Sequence, residues 1–151
     1  MIEVNLIDFY GYTSPTDGTW IYDETVYSYG EDYRTVERYR EYLEAGMTIL
    51  LLQHENAYRG EKFETSNTRL CMDNAYEAGI RRVIVADRQL MKLAGIRKSL
   101  IGPDALFGSE KELDEHVKSL ISPYISHPAF YGIQLKDEPK YADFQAFGQI
   151  Y

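Results

Sequence analysis

One phrase occurs twice in this chain. EAGMTILLL at residues 44–52 and EAGIRRVIV at residues 77–85 share the order Glu-Ala-Gly followed by an apolar run, and they start 33 residues apart. Glycine just past a helix takes the left-handed conformation that closes it, and a β-branched or leucine-rich run then enters a strand. Both runs are apolar at nearly every position instead of at alternate ones, which suits parallel strands covered on both faces. The repeated unit is helix, short turn, buried strand. A chain built from such units is confined to α/β architectures with a parallel sheet and right-handed crossovers.

The flanking sequence supplies the remaining units. Before the first repeat, Val36, Tyr39 and Leu43 fall on one helical face, and charged residues fill the other. Before the second, Cys71, Ala75 and Ala78 do the same more weakly. A third helix is marked by Ser109 and Glu112 in a capping-box pattern, with Leu113, Val117, Leu120 and Tyr124 following at helical spacing. It leads through SHPAF into YGIQLK, a fourth strand that ends on Lys136, Asp137, Glu138 and Pro139. The N-terminal IEVNLIDFY has the β-formers of a first strand, and a long loop rich in Trp20, Tyr22, Tyr27 and Tyr29 follows it. A last helix begins in YADFQAFGQIY. No linker or low-complexity tract divides the chain, so residues 1–151 are expected to form a single unit.

Composition removes several classes of function. With a net charge of −8 the chain repels phosphate backbones, so nucleic acid is excluded as a partner. No uninterrupted apolar run is long enough to cross a bilayer, and the N-terminus lacks the basic and apolar regions of a secretory signal, which fits a cytoplasmic chain if that terminus is native. Cys71 is the only cysteine and is expected to be a buried, inert thiol. Gln53-His54-Glu55-Asn56 is a dense polar set directly after a buried strand. The other histidines, His116 and His127, do not complete a metal-ligand spacing, and there is no glycine-rich phosphate loop, so neither metal nor cofactor is expected. The 14 tyrosines outnumber the six phenylalanines; each pairs an apolar face with a polar tip, which suits half-wet packing and the flat faces of sugars alike.

The passage HPAFYGIQLKDEP resembles the His-Pro-Ala, Gly, Asp-Glu-Pro segment leading into the fourth strand of many (β/α)8 glycoside hydrolases and glycosidase-like barrel proteins. TILLLQ and RRVIVAD are similar to the second and third strands of such barrels. The resemblance implies a partial, half TIM-type (β/α)8 barrel, since a full barrel takes about 250 residues. It also implies a carbohydrate partner and places Glu138 at the acid/base position, flanked by Asp137 and Pro139. Protonating a glycosidic oxygen needs a rigidly held, partly desolvated carboxylic acid, and a strand tip supplies the rigidity. Glu138 is accordingly expected to be partly buried, sharing a cleft with Asp137, Gln53, Asp87 and Trp20 as sugar-binding groups. Tyr10, at the end of the first strand, belongs to the same set.

Glycosidases need a second carboxylate across the sugar, and in this family it comes from the barrel's second half. Here Glu55 and Asp87, beyond neighbouring strands, are the only local substitutes, so the isolated chain is not expected to be a competent glycosidase. Half a barrel leaves two unpaired parallel edges, so association with a second copy or with the remainder of a barrel is expected. Two other readings stand beside this one. The chain can be a non-catalytic carbohydrate-binding or protein-interaction module using its tyrosine-rich loop, with Asp87-Arg88 a plain ion pair and the Asp-Glu-Pro a simple strand end. It can also be a flavodoxin-like sandwich with helices on both faces of an open sheet.

Overall fold

The computed structural model describes residues 9–13, 19–22 and 25–28 as backbone, and residues 32–52 and 62–151 in full. Four parallel strands form one sheet in the order β1 (Phe9–Thr13), β4 (Met47–Leu52), β5 (Arg82–Val85), β6 (Phe130–Ile133). Between β1 and β4 lies an antiparallel pair, β2 (Thr19–Tyr22) and β3 (Thr25–Ser28). Of the expected first strand IEVNLIDFY, Phe9 and Tyr10 fall within β1, and residues 1–8 lie outside the described residues.

Helix α1 (Val36–Glu44) precedes β4, and α2 (Asn67–Ala78) precedes β5. Thr35 and Ser66 begin them, each hydroxyl accepting from a backbone N–H three residues on. Gly46 and Gly79 end them with φ of 86° and 115°, so both Glu-Ala-Gly phrases close a helix in the left-handed region. A Cβ at Gly79 would also stand 3.2 Å from Leu43 of α1, close enough that the leucine side chain would have to give way. The repeat carries over into the sheet: Leu50 pairs with Val83 and Leu52 with Val85, partners separated by the same 33 residues as the two phrases. Equivalent positions of the two units lie side by side.

All four of those strand side chains are fully buried, and they meet Tyr39 of α1, Met72 and Ala75 of α2 and Tyr124 of α4 (Glu110–Ile125) in one core. Three helices thus cover the same face of the sheet. That is what right-handed crossovers produce when strands are added in one direction without reversal. Cys71 lies in this core as expected, with burial pushing its thiol up to about 12. Burial likewise raises the Tyr39 hydroxyl.

A second apolar cluster joins α4 to the helices that flank it in the chain, α3 (Arg88–Ala94) and α5 (Phe144–Ile150), through Leu90, Leu93, Leu113, Val117 and Ala146. Helix α3 is an addition to the expected order. In α4, Ser109 caps Glu112 as predicted, but the Glu112 carboxylate accepts from the N–H of Gly108, one residue before the cap. Pro123 lies inside α4, where its missing N–H would leave the Ser119 carbonyl without a helical donor. The Ser122 hydroxyl donates to that carbonyl at 3.1 Å.

Candidate functional site at the strand tips

The C-terminal ends of β4, β5 and β6 lie along one edge of the sheet, because the strands are parallel and in register. Residues 53–61 beyond β4, including Gln53 and Glu55, lie outside the described residues. Beyond β5 the chain turns at once into α3. Asp87 starts that helix: its Oδ1 accepts from the N–H of Gln89 at 2.9 Å and of Leu90 at 3.0 Å. Its Oδ2 accepts from the Tyr124 hydroxyl at 2.7 Å, and the residue is 1% exposed. The carboxylate expected in an open cleft is closed off, committed to a helix cap and to α4. The next residue, Arg88, is exposed, while the Asp87 carboxylate makes these inward bonds.

Beyond β6 the pairing persists for one more bond, from Gln134 N–H to the Val85 carbonyl at 2.9 Å. Leu135 then enters the second cluster, and the chain rises to Asp137 and Glu138, both exposed. The partial burial expected of Glu138 is not found. What the tip shows instead is backbone strain: Glu138 has φ of 46°, the one non-glycine residue with positive φ among the described residues. Glutamate rarely enters this region, and the following Pro139 disfavours helical dihedrals further.

Asp143, absent from the sequence expectations, holds the base of this loop. It is fully buried, and its Oδ2 accepts from Lys136 Nζ at 2.8 Å and from the Lys140 N–H at 2.7 Å. Arg97 Nε stands 3.6 Å from Oδ1. The Lys136 hydrogen bond, then the Lys140 N–H and more weakly Arg97, hold the Asp143 carboxyl below the usual carboxylate range against its burial.

His127 opens the HPAF passage and is also interior. Its Nδ1 accepts from the Ala129 N–H at 3.1 Å, which leaves Nε2 to carry the proton shared with Asp73 Oδ1 at 3.0 Å. Burial pushes Asp73 upward, but hydrogen bonds from Arg69 and His127 outweigh it and leave that carboxyl below its ordinary range. The imidazole thus fixes the turn from α4 into β6, far from the strand tips.

Tyr10 lies in β1 with Ile49 as its register partner, and Trp20 and Tyr27 are partners across the β2–β3 ladder. Among the described residues no cluster of three or more His, Cys, Asp or Glu could hold a metal, and no helix is long and apolar enough to cross a membrane. Of the expected set, the described strand tips bring Asp87 and Glu138 to the same edge in opposite states, one sealed and one exposed. Comparison of the chain with protein families, with curated proteins and with solved structures gives no match in any of the three.

Proposed function

We propose that the chain is the N-terminal half of a glycosidase-like (β/α)8 barrel, with Glu138 as the acid/base group at the tip of its fourth strand. The observation that carries this reading is the left-handed backbone of Glu138. A non-glycine residue there costs about 1–2 kcal/mol relative to glycine, and strain of this kind concentrates at functional sites. Support for the half barrel comes from the unreversed strand order and from the helices gathered on one sheet face.

Chemically, Glu138 would protonate the glycosidic oxygen as the bond to the anomeric carbon breaks. Its exposure means that the tip is desolvated only when a sugar or a second chain covers it. Because Asp87 is sealed into the α3 cap, it does not supply the opposing carboxylate. That group comes from Glu55, from a second copy, or from the remaining half of a barrel.

Two measurements test the proposal. With a chromogenic glycoside of poor leaving group, Glu138→Gln is expected to lower turnover about 100-fold, the lower end of what a general acid contributes. Glu138→Gly should raise the unfolding midpoint by relieving the left-handed strain, while also losing turnover. Binding of glycosides with no turnover in the parent chain would favour the carbohydrate-binding module. Turnover unchanged by Glu138→Gln would remove Glu138 from the chemistry.

The second measurement is mass. Strands β1 and β6 are the edges of the parallel sheet, while on the face opposite the helices Leu51 is buried within the chain and its partner Ile84 is partly buried. Unpaired sheet edges invite association, so light scattering at micromolar concentration is expected to report a dimer or larger. A monomer would mean that the edges of the sheet are not used for association.

A further inference from the structure

We propose that Asp143 is the positioning residue of the strand-tip loop, holding Glu138 in its left-handed conformation by tying both ends of the loop to one carboxylate oxygen. This deepens the assignment of Glu138 as the acid/base group and rests on it for its catalytic meaning. The loop geometry stands apart from it.

The tie is short and symmetric about Glu138. Lys136 lies two residues before it and Lys140 two residues after, and both donate to Oδ2 of Asp143, at 2.8 Å from the ammonium and 2.7 Å from the backbone N–H. The five residues from 136 to 140 are thereby closed at the base, and Pro139 restricts the dihedrals within. The carboxylate is itself immobilised. It is fully buried, it ends the 3-10 turn of Tyr141–Asp143 that runs into α5, and its N–H donates to the Lys140 carbonyl at 2.8 Å. On its other side, Oδ1 has no hydrogen-bond donor among the described residues, and Arg97 from the segment after α3 stands 3.6 Å away. Among the described residues the charged and hydrogen-bonding groups that face the Asp143 carboxylate are Lys136, the Lys140 N–H and Arg97, all donors or cations.

A left-handed residue ahead of proline does not persist on its own preference; it stays only where its surroundings over-determine it. Asp143 grips the chain on both sides of Glu138. A carboxylate placed merely to stabilise α5 would have no need of the Lys136 side chain, which belongs to the tail of β6.

The test is NMR on the whole chain, with Asp143→Asn and Lys136→Met compared with the parent. Asparagine keeps the shape but loses the charge that draws Lys136. The amide of Lys140 is expected to exchange about tenfold faster in Asp143→Asn, and the Cα and Cβ shifts of Glu138 to move toward extended values. Lys136→Met should give a smaller change of the same kind, and Lys136→Arg should restore the parent pattern. In the parent, loss of the Lys140 protection should track protonation of Asp143. Its carboxyl is lowered in the folded chain, so the tie is complete above about pH 4 and opens as the pH falls through that lower value.

Unchanged Glu138 shifts and Lys140 exchange in folded Asp143→Asn would overturn the proposal. Should that variant fail to fold, an unaltered loop in Lys136→Met together with an acid titration that leaves the Lys140 amide unmoved would do so equally. None of these readouts needs a sugar. A loosened loop with turnover indifferent to Glu138→Gln upholds the tie and defeats the acid assignment. A turnover lost in Glu138→Gln but unaffected by Asp143→Asn, with the loop unaltered, does the reverse.

Discussion

Asp87→Ala is expected to destabilise the chain by roughly 3 kcal/mol, read as a lowered urea midpoint with an unchanged slope. Two losses combine. The helix cap on Gln89 and Leu90 disappears, worth about 1–2 kcal/mol at an N-terminus. The Tyr124 hydroxyl, buried against the core, loses its bond to Oδ2, which costs about 1–3 kcal/mol. Tyr124→Phe removes only the second contact, from the other side, and should cost about 2 kcal/mol because it strands one oxygen of a buried carboxylate. Asp87→Asn keeps an oxygen for both helix N–H groups and an amide opposite the phenol, so about 1 kcal/mol is expected. A loss below 1 kcal/mol for Asp87→Ala would show that the carboxylate is not structural, and would return it to the strand-tip site as a ligand group.

That substitution also marks where sequence reasoning stopped. The helix-turn-strand repeat was legible because its signals are imposed by the backbone: glycine is needed for φ of 86° and 115° at Gly46 and Gly79, and strands covered on both faces must be apolar throughout. The sealed state of Asp87 was not. A carboxylate just past a buried strand suits catalysis and helix capping equally well, and the short α3 that decides between them carries only Leu90, Leu93 and Ala94 as its apolar stripe. The β2–β3 pair was hidden for a different reason. Asp23 and Glu24 separate its strands, with neither glycine nor asparagine to announce a two-residue turn. Asp143 was the furthest from view. Lys136 and Lys140 are near it in sequence, but its burial and its approach to Arg97 depend on how α3 and α5 pack. The exposed Glu138 belongs with it, since the loop that presents Glu138 is held by a residue whose role only the tertiary fold creates.

His127→Ala is expected to cost about 3 kcal/mol, and it bears on how much of the HPAFYGIQLKDEP passage is chemistry. The imidazole occupies an interior position where the N–H of Ala129 has Nδ1 as its acceptor and Asp73 accepts from Nε2, with the Tyr76 ring edge-on at 6.3 Å. Alanine would orphan a buried N–H, at about 1–3 kcal/mol, and leave a void the size of the ring. The damage falls where β6 begins, because the Ala129 carbonyl accepts from the Val83 N–H at 2.7 Å and Phe130 N–H donates to the His127 carbonyl at 2.9 Å. His127→Asn places an oxygen close to the Nδ1 position and should recover the Ala129 bond, while His127→Gln reaches Asp73 but not Ala129. Asparagine is therefore expected to be the milder of the two. Equal losses for asparagine and alanine would mean that packing, not the Ala129 bond, is what His127 contributes. If the order holds, the histidine end of the passage serves to start the strand at a fixed register, and whatever chemistry the passage performs is left to its other end, where Glu138 is held against its own backbone preference.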